Sequence, residues 1–135
     1  MTIIGVGTDR VPVARIAALL GRFGDRFTGR VYTEKEVEQA RMKGNLARRL
    51  AMLFAAKEAV SKALGTGFRQ GVAAHHIETI HRPSGKPDVF LYKGARAAAE
   101  HLGVTSVHVS LTDDDGVAMA FAIAESARQE DNHAL

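Results

Sequence analysis

The chain has 135 residues, 46% of them hydrophobic, enough for one hydrophobic core with little left over for a second. It has no cysteine, which excludes disulfides and thiolate metal centres and leaves oxygen and imidazole as ligands, an inventory suited to a hard cation. The net charge of +3 is uneven: residues 1–70 hold 13 Lys and Arg against 6 Asp and Glu, and residues 71–135 hold 5 against 9, so an anionic partner is expected on the first half.

The N-terminus lacks the basic, apolar and small-residue succession of a signal peptide. No run approaches the roughly 20 apolar residues of a membrane span, so a cytoplasmic protein is expected. Thr2–Thr8 places Ile3, Ile4 and Val6 among glycines and reads as a strand ending at Asp9. Pro12 suits the first turn of a helix to about Leu20, stopped by Gly21. Asp9 is then expected at a strand-to-helix junction, where its ordinary role is to accept hydrogen bonds from free backbone N–H groups. On the helix, Ile16, Leu19 and Leu20 form a core stripe, while Arg15 and Arg22, seven apart, share a basic face. Phe23–Val31 is a turn or short helix, and Thr33 to Glu36 has the form of a capping box opening a helix to about Met42.

Lys43-Gly44-Asn45 breaks that helix, and Leu46–Leu64 follows without Gly or Pro, with Asn45 as N-cap and Gly65 placed for a left-handed C-cap. This is a helix of about five turns with apolar residues on every side, the signature of a buried helix. It nevertheless carries Lys57, Glu58, Ser61 and Lys62, and a carboxylate among alanines needs a cation or donors nearby. Glu58 and Lys62, four apart, could form an ion pair along one face. Alternatively, Glu58 binds a metal and Lys62 a phosphate, with Gly65-Thr66-Gly67 giving backbone room beside a polyanion. Spacing alone leaves both readings open.

Phe68–Ala74 reads as a loop, and from His75 short strands dominate. Ile77–Arg82 and Asp88–Tyr92 pair across the turn Pro83-Ser84-Gly85-Lys86-Pro87. Ala95–Leu102 is a helix ended by Gly103. Thr105–Leu111 alternates Val107, Val109 and Leu111 against His108 and Ser110. Asp113, Asp114 and Asp115 are expected on a solvated hairpin tip rather than on a metal. Val117, Met119, Phe121 and Ile123 then alternate with alanines along a last strand. His75 and His76, as a loop-to-strand doublet, are expected to point to opposite faces, and no histidine is assigned as a ligand. Residues 1–125 are expected to form a single domain and residues 126–135 a polar, frayed tail.

Phe-Ala-Ala-Lys-Glu-Ala at residues 54–59, Lys-Ala-Leu-Gly-Thr-Gly at 62–67 and Gly5-Val6-Gly7-Thr8-Asp9 resemble, in the same order, the bacterial holo-acyl-carrier-protein synthases, small 4′-phosphopantetheinyl transferases. The likeness runs from Ile3 to about Glu125. It implies an α+β fold, an antiparallel sheet wrapped around a long central helix, and a homotrimer with sites between subunits. It implies transfer of 4′-phosphopantetheine from coenzyme A to a serine of apo-acyl carrier protein, leaving 3′,5′-ADP, with Mg2+ on Asp9 and Glu58 and with Lys62 as a third catalytic group. Coenzyme A would lie on Lys62, Gly65, Thr66, Gly67, Lys86, Pro87 and Ser110, with strand and loop residues such as Lys86 and Ser110 facing a neighbour's site. The acidic carrier would dock on Arg15, Arg22 and Arg26.

Two departures concern coenzyme A phosphate binding. Leu53 stands where many members have Arg, and Thr112-Asp113 where many have Ser-His, so Arg48, Arg49 and Lys86 are open as substitutes. Two readings of other classes remain beside the enzyme. One is a non-catalytic role on the same fold. The other is a basic RNA-binding module, weakened by 6 Phe, 2 Tyr and no Trp and by the lack of aromatics interleaved with the basic residues.

Overall fold

The structure is a computed structural model, and residues 1–127 of it are described. In chain order the elements are β1 (Thr2–Pro12), α1 (Val13–Phe23), α2 (Asp25–Val31), α3 (Glu34–Met42), α4 (Leu46–Ala63), β2 (Ile77–His81), β3 (Pro87–Leu91), α5 (Lys93–Leu102), β4 (Ser106–Asp114) and β5 (Val117–Ser126). The strands form two antiparallel sheets, β1-β5-β4 and β2-β3.

The larger sheet lies against α4, and small residues on both sides set how closely. On β5, Ala118, Ala120, Ala122 and Ala124 are all buried on the helix side, while Val117, Met119, Phe121 and Ile123 face away. On β1, a Cβ built at Gly5 would lie 2.0 Å from the carbonyl oxygen of Ala63, and one built at Gly7 would lie 2.0 Å from that of Ala59. Strand and helix backbones touch there, which only glycine allows. The alanines of β5 are therefore covered, against the expectation that they offer free flat surface. The uncovered face is the opposite one, where Ile3, Ile4, Val6 and Phe121 stand exposed.

Besides shifts of a residue or two at β2, β3 and α5, three elements end later than expected. β1 continues through Asp9 to Pro12 because it stays in register with β5, Asp9 opposite Ala120, so Asp9 projects from a strand rather than from a junction. α1 runs through Gly21 to Phe23 and stops at Gly24, whose φ is 51°. β4 continues to Asp114, and the tip is Asp115-Gly116 with φ of 51° and 77°, two positive values in the manner of a type I′ hairpin turn. The frayed-tail expectation is corrected at Ser126, which belongs to β5, and at Ala127, whose N–H donates to Thr105 Oγ1; residues 128–135 lie outside the described residues.

Caps fall where the sequence places them. Asn45 accepts from the Arg48 N–H, and Thr33 and Glu36 complete a reciprocal capping box. Glu36 does more than cap. Its Oε1 accepts from Lys57 Nζ at 2.7 Å and its Oε2 from the Thr79 N–H at 3.0 Å, and Lys57 also donates to the carbonyls of Ala74 and Ile77. Both side chains are fully buried, so this pair ties α4 to α3 and β2. His75 and His76 lie in a short 3-10 turn with ring centroids 4.6 Å apart. They do not point to opposite faces, because a 3-10 turn lacks the alternation of a strand.

Candidate active site at the β1–α4 contact

Gly5, Gly7, Asp9 and Val11 alternate on the helix-facing side of β1. The two glycines bring the strand onto α4, and Asp9 then reaches α4 where Phe54, Glu58 and Lys62 follow one another at four-residue spacing along one face. Lys62 donates to Asp9 Oδ1 and to the Thr8 carbonyl, each at 3.0 Å. It makes no ion pair with Glu58 among the described residues, so the neighbour-pair reading of Glu58 and Lys62 is replaced by a link from helix to strand.

Burial, and after it the charge of Asp9, raise the Glu58 pKa above the ordinary carboxylate value, while Lys62 and Arg15 pull it down. Four charged groups from three elements therefore act on one spot. A partly buried carboxylate with a second carboxylate beside it is a site where a cation is favourable. Among the described residues no cluster of three or more His, Asp and Glu forms a closed metal cage. An all-oxygen pair with open positions fits Mg2+, which commonly uses one or two carboxylates and takes its remaining ligands from water and phosphate.

The other expected residues fall around this cluster or apart from it. Arg15 holds its guanidinium over the Phe54 ring at 6.0 Å, and Arg22 lies over Phe23 at 5.1 Å. Arg26 lines a shallow cleft with Leu19, Phe23 and Phe27. After α4, Gly65 is left-handed at φ 77°, and the N–H groups of Thr66 and Gly67 both bond the Ser61 carbonyl at 3.1 Å. That loop offers room through its glycines rather than free amides. Lys86 is exposed in the β2–β3 turn. Pro87 and Ser110 line a separate cavity with Arg49, and so do not share a pocket with Asp9 in one chain.

Several contacts had no local signal in the sequence. Arg48 binds Asp113 bidentately, both bonds 2.8 Å, so Asp113 is a strand residue latched to α4 rather than part of a solvated tip. The guanidinium in turn holds the Asp113 carboxyl below its usual range. Leu53 is buried in the core. His108 Nε2 meets Glu125 Oε1 at 2.7 Å across two strands. The side chains of these pairs are brought together by tertiary packing, which spacing along the chain does not report.

The model of the 4′-phosphopantetheinyl transferase superfamily matches residues 5–122. The chain belongs to this superfamily. Superfamily membership makes it a transferase, and nearly full-length relatives agree. It is 46% identical to the holo-acyl-carrier-protein synthase of Photorhabdus laumondii subsp. laumondii over 93% of this chain and 99% of that one. It is 43% identical to that of Koribacter versatilis over 91% and 98%. Among solved structures, the holo-acyl-carrier-protein synthase of Neisseria meningitidis has a TM-score of 0.84 at 38% identity, covering 93% of this chain and all of that one. The Helicobacter pylori enzyme, solved in complex with coenzyme A, has a TM-score of 0.79 at 28% identity, over 89% and 99%. The α+β fold with an antiparallel sheet around α4 is thus that of the superfamily.

Proposed function

We propose that the protein transfers 4′-phosphopantetheine from coenzyme A to a serine of apo-acyl carrier protein, releasing 3′,5′-ADP. The observation that carries this reading is the convergence of Asp9, Glu58 and Lys62 at the β1–α4 contact. The serine Oγ attacks the phosphorus that bears the pantetheine, an Oγ–P bond forms as the bond from that phosphorus to the bridging oxygen breaks, 3′,5′-ADP leaves with the bridging oxygen, and the serine proton passes to an acceptor in the carboxylate cluster. Mg2+, held by Asp9 and Glu58, would neutralise charge on the pyrophosphate. Lys62 is on a flexible stem and can turn from Asp9 to a phosphate oxygen, adding a point charge where charge builds up. The side chains present require no nucleophile of their own, since the serine belongs to the carrier.

The remaining assignments are part of the same proposal. Arg15, Arg22 and Arg26 receive the acidic carrier. Gly65, Thr66 and Gly67 line the phosphopantetheine path, and Lys86, Pro87 and Ser110 serve the coenzyme A of a neighbouring subunit. A homotrimer is supported by the uncovered face of the larger sheet, where Phe121 stands between Thr8 and Ser110 in register and Val6 is 56% exposed. The reading takes the protein as a cytoplasmic single-domain enzyme; among the described residues no helix is long and apolar enough to cross a membrane.

Incubating the protein with coenzyme A, Mg2+ and apo-acyl carrier protein and weighing the carrier tests the reading directly. A mass gain of one phosphopantetheine is expected. An unmodified carrier that still binds would favour the non-catalytic role, and retention of RNA instead of carrier would favour the nucleic-acid module.

A further inference from the structure

The open face of the larger sheet is apolar across its middle, and one titratable pair is set into it. The register of the three strands puts Val6, Ile123 and His108 side by side in one row, and Ile3, Glu125 and Ser106 in the next. Directly opposed residues of antiparallel strands point to the same side, so both rows share the face that carries Phe121. His108 Nε2 reaches diagonally between the rows to Glu125 Oε1 at 2.7 Å. The two are unequally covered: the Glu125 side chain is 14% exposed and that of His108 56%. A carboxylate is thus already largely withdrawn from water, and among the described residues its ion pair is with this imidazole alone. The other charged groups around His108 are engaged elsewhere or stand in water. The cavity it borders also holds Arg82, Asp88, Arg96, Glu100 and Lys86. Arg82 pairs with Asp88 at 2.6 Å and Arg96 with Glu100 at 3.1 Å, which leaves Lys86, exposed in its turn. On the face itself, Arg10 lies two rows from His108 and Asp114 three.

We propose that the packing of copies of this chain through the open face is coupled to uptake of a proton by His108, so that assembly strengthens on mild acidification and loosens as pH rises. The inference rests on the homotrimer reading above. Covering the face removes the remaining water from Glu125, and a carboxylate desolvated without a cation is costly. With a neutral imidazole the pair carries one negative charge in each subunit, and a closed assembly brings these charges together around its axis. With an imidazolium the pair is neutral as a whole, and its contact becomes a charge-assisted hydrogen bond. Imidazole is the side chain that ordinarily changes charge between about pH 5 and 8. The assembled state binds the proton more tightly than the free chain, so the gain in association is fully present below the imidazole range and is lost as pH rises through it.

The test is sedimentation of the intact protein over a range of concentrations from about pH 5.5 to 8.5 at constant ionic strength, the range that spans imidazole titration. The concentration at which the wild type is half assembled should rise by at least about tenfold from the acid to the alkaline end, the factor for one proton over one pH unit. Far-UV circular dichroism run alongside separates dissociation from unfolding. His108→Gln keeps a hydrogen-bond donor beside Glu125 but takes up no proton, and it should flatten the dependence at the weaker, alkaline level of association. Glu125→Gln removes the charge that needs compensation, and it should keep the alkaline protein assembled. His101→Gln, an exposed histidine on α5, should leave the wild-type dependence in place. A wild-type assembly whose strength is the same across the range overturns the proposal and leaves the homotrimer standing. A dependence that survives His108→Gln, or one that runs in the opposite direction, overturns it equally. A monomer at every pH and concentration removes the homotrimer and this proposal together.

Discussion

Two lysines of α4 sit near carboxylates, and their surroundings assign them opposite tasks. Lys57 is sealed in with Glu36 and shares three acceptors, whereas Lys62 is half exposed and linked to Asp9. Breaking the first leaves a charge unpaired in the core. Lys57→Met should therefore lower unfolding stability by about 3–5 kcal/mol, and Glu36→Gln combined with Lys57→Met should recover much of it, both read from urea denaturation. Asp9→Ala should behave in the reverse way. A partly exposed ion pair contributes only about 0–1 kcal/mol, so denaturation should barely move while transfer activity falls by orders of magnitude. An active Asp9→Ala enzyme would remove Asp9 from the chemistry. The residue types of this site were legible in Gly5 to Asp9 and in Phe54 to Gly67. Their partners were not, because Lys57 meets Glu36 across 21 positions and Arg48 meets Asp113 across 65, distances at which only packing selects a neighbour.

At the scale of elements, the close approach of β1 to α4 governs the site. A methyl at Gly7 would overlap the Ala59 carbonyl oxygen, a backbone atom that cannot turn aside. Gly7→Ala should cost at least about 1–3 kcal/mol and should lift Asp9 from Lys62, reducing activity further than the stability loss explains. Gly21→Ala is the contrasting case. Gly21 is exposed within α1 and nothing lies within 4 Å of its added Cβ, so this change should stabilise by about 0.5–1 kcal/mol, seen as a later unfolding midpoint. The sequence marked α4 and the box before α3 well, since caps and periodicity are local. It shortened β1 and β4 because the polar residues Asp9, Arg10, Thr112 and Asp113 look like strand ends, and only pairing with β5 keeps them extended. It also misjudged Gly21, which a helix held by Ile16 and its tertiary packing tolerates.

For the whole molecule, the covered and open faces of the larger sheet divide the work. If copies of the chain pack through the open face as proposed, Phe121→Glu should leave the fold intact and shift sedimentation toward monomer, with activity falling in parallel if sites lie between subunits. Unchanged sedimentation would remove that interface. Changing Arg15 and Arg22 together to Glu should raise KM for the carrier far more than for coenzyme A, and wild-type association should weaken as salt is added. Equal effects on both substrates would argue against docking on α1.

The pairing of β1 with β5 also dictates a timetable. Val6 meets Ile123 and Asp9 meets Ala120, so β1 waits for β5, over a hundred residues later, before it has a neighbour in its sheet. On the ribosome, α4 and its two lysines can form early, yet Asp9 has no fixed place beside them until residues near 120 have left the exit tunnel. Catalytic competence therefore waits for β5, and a growing chain cannot begin consuming its substrate before that strand has emerged.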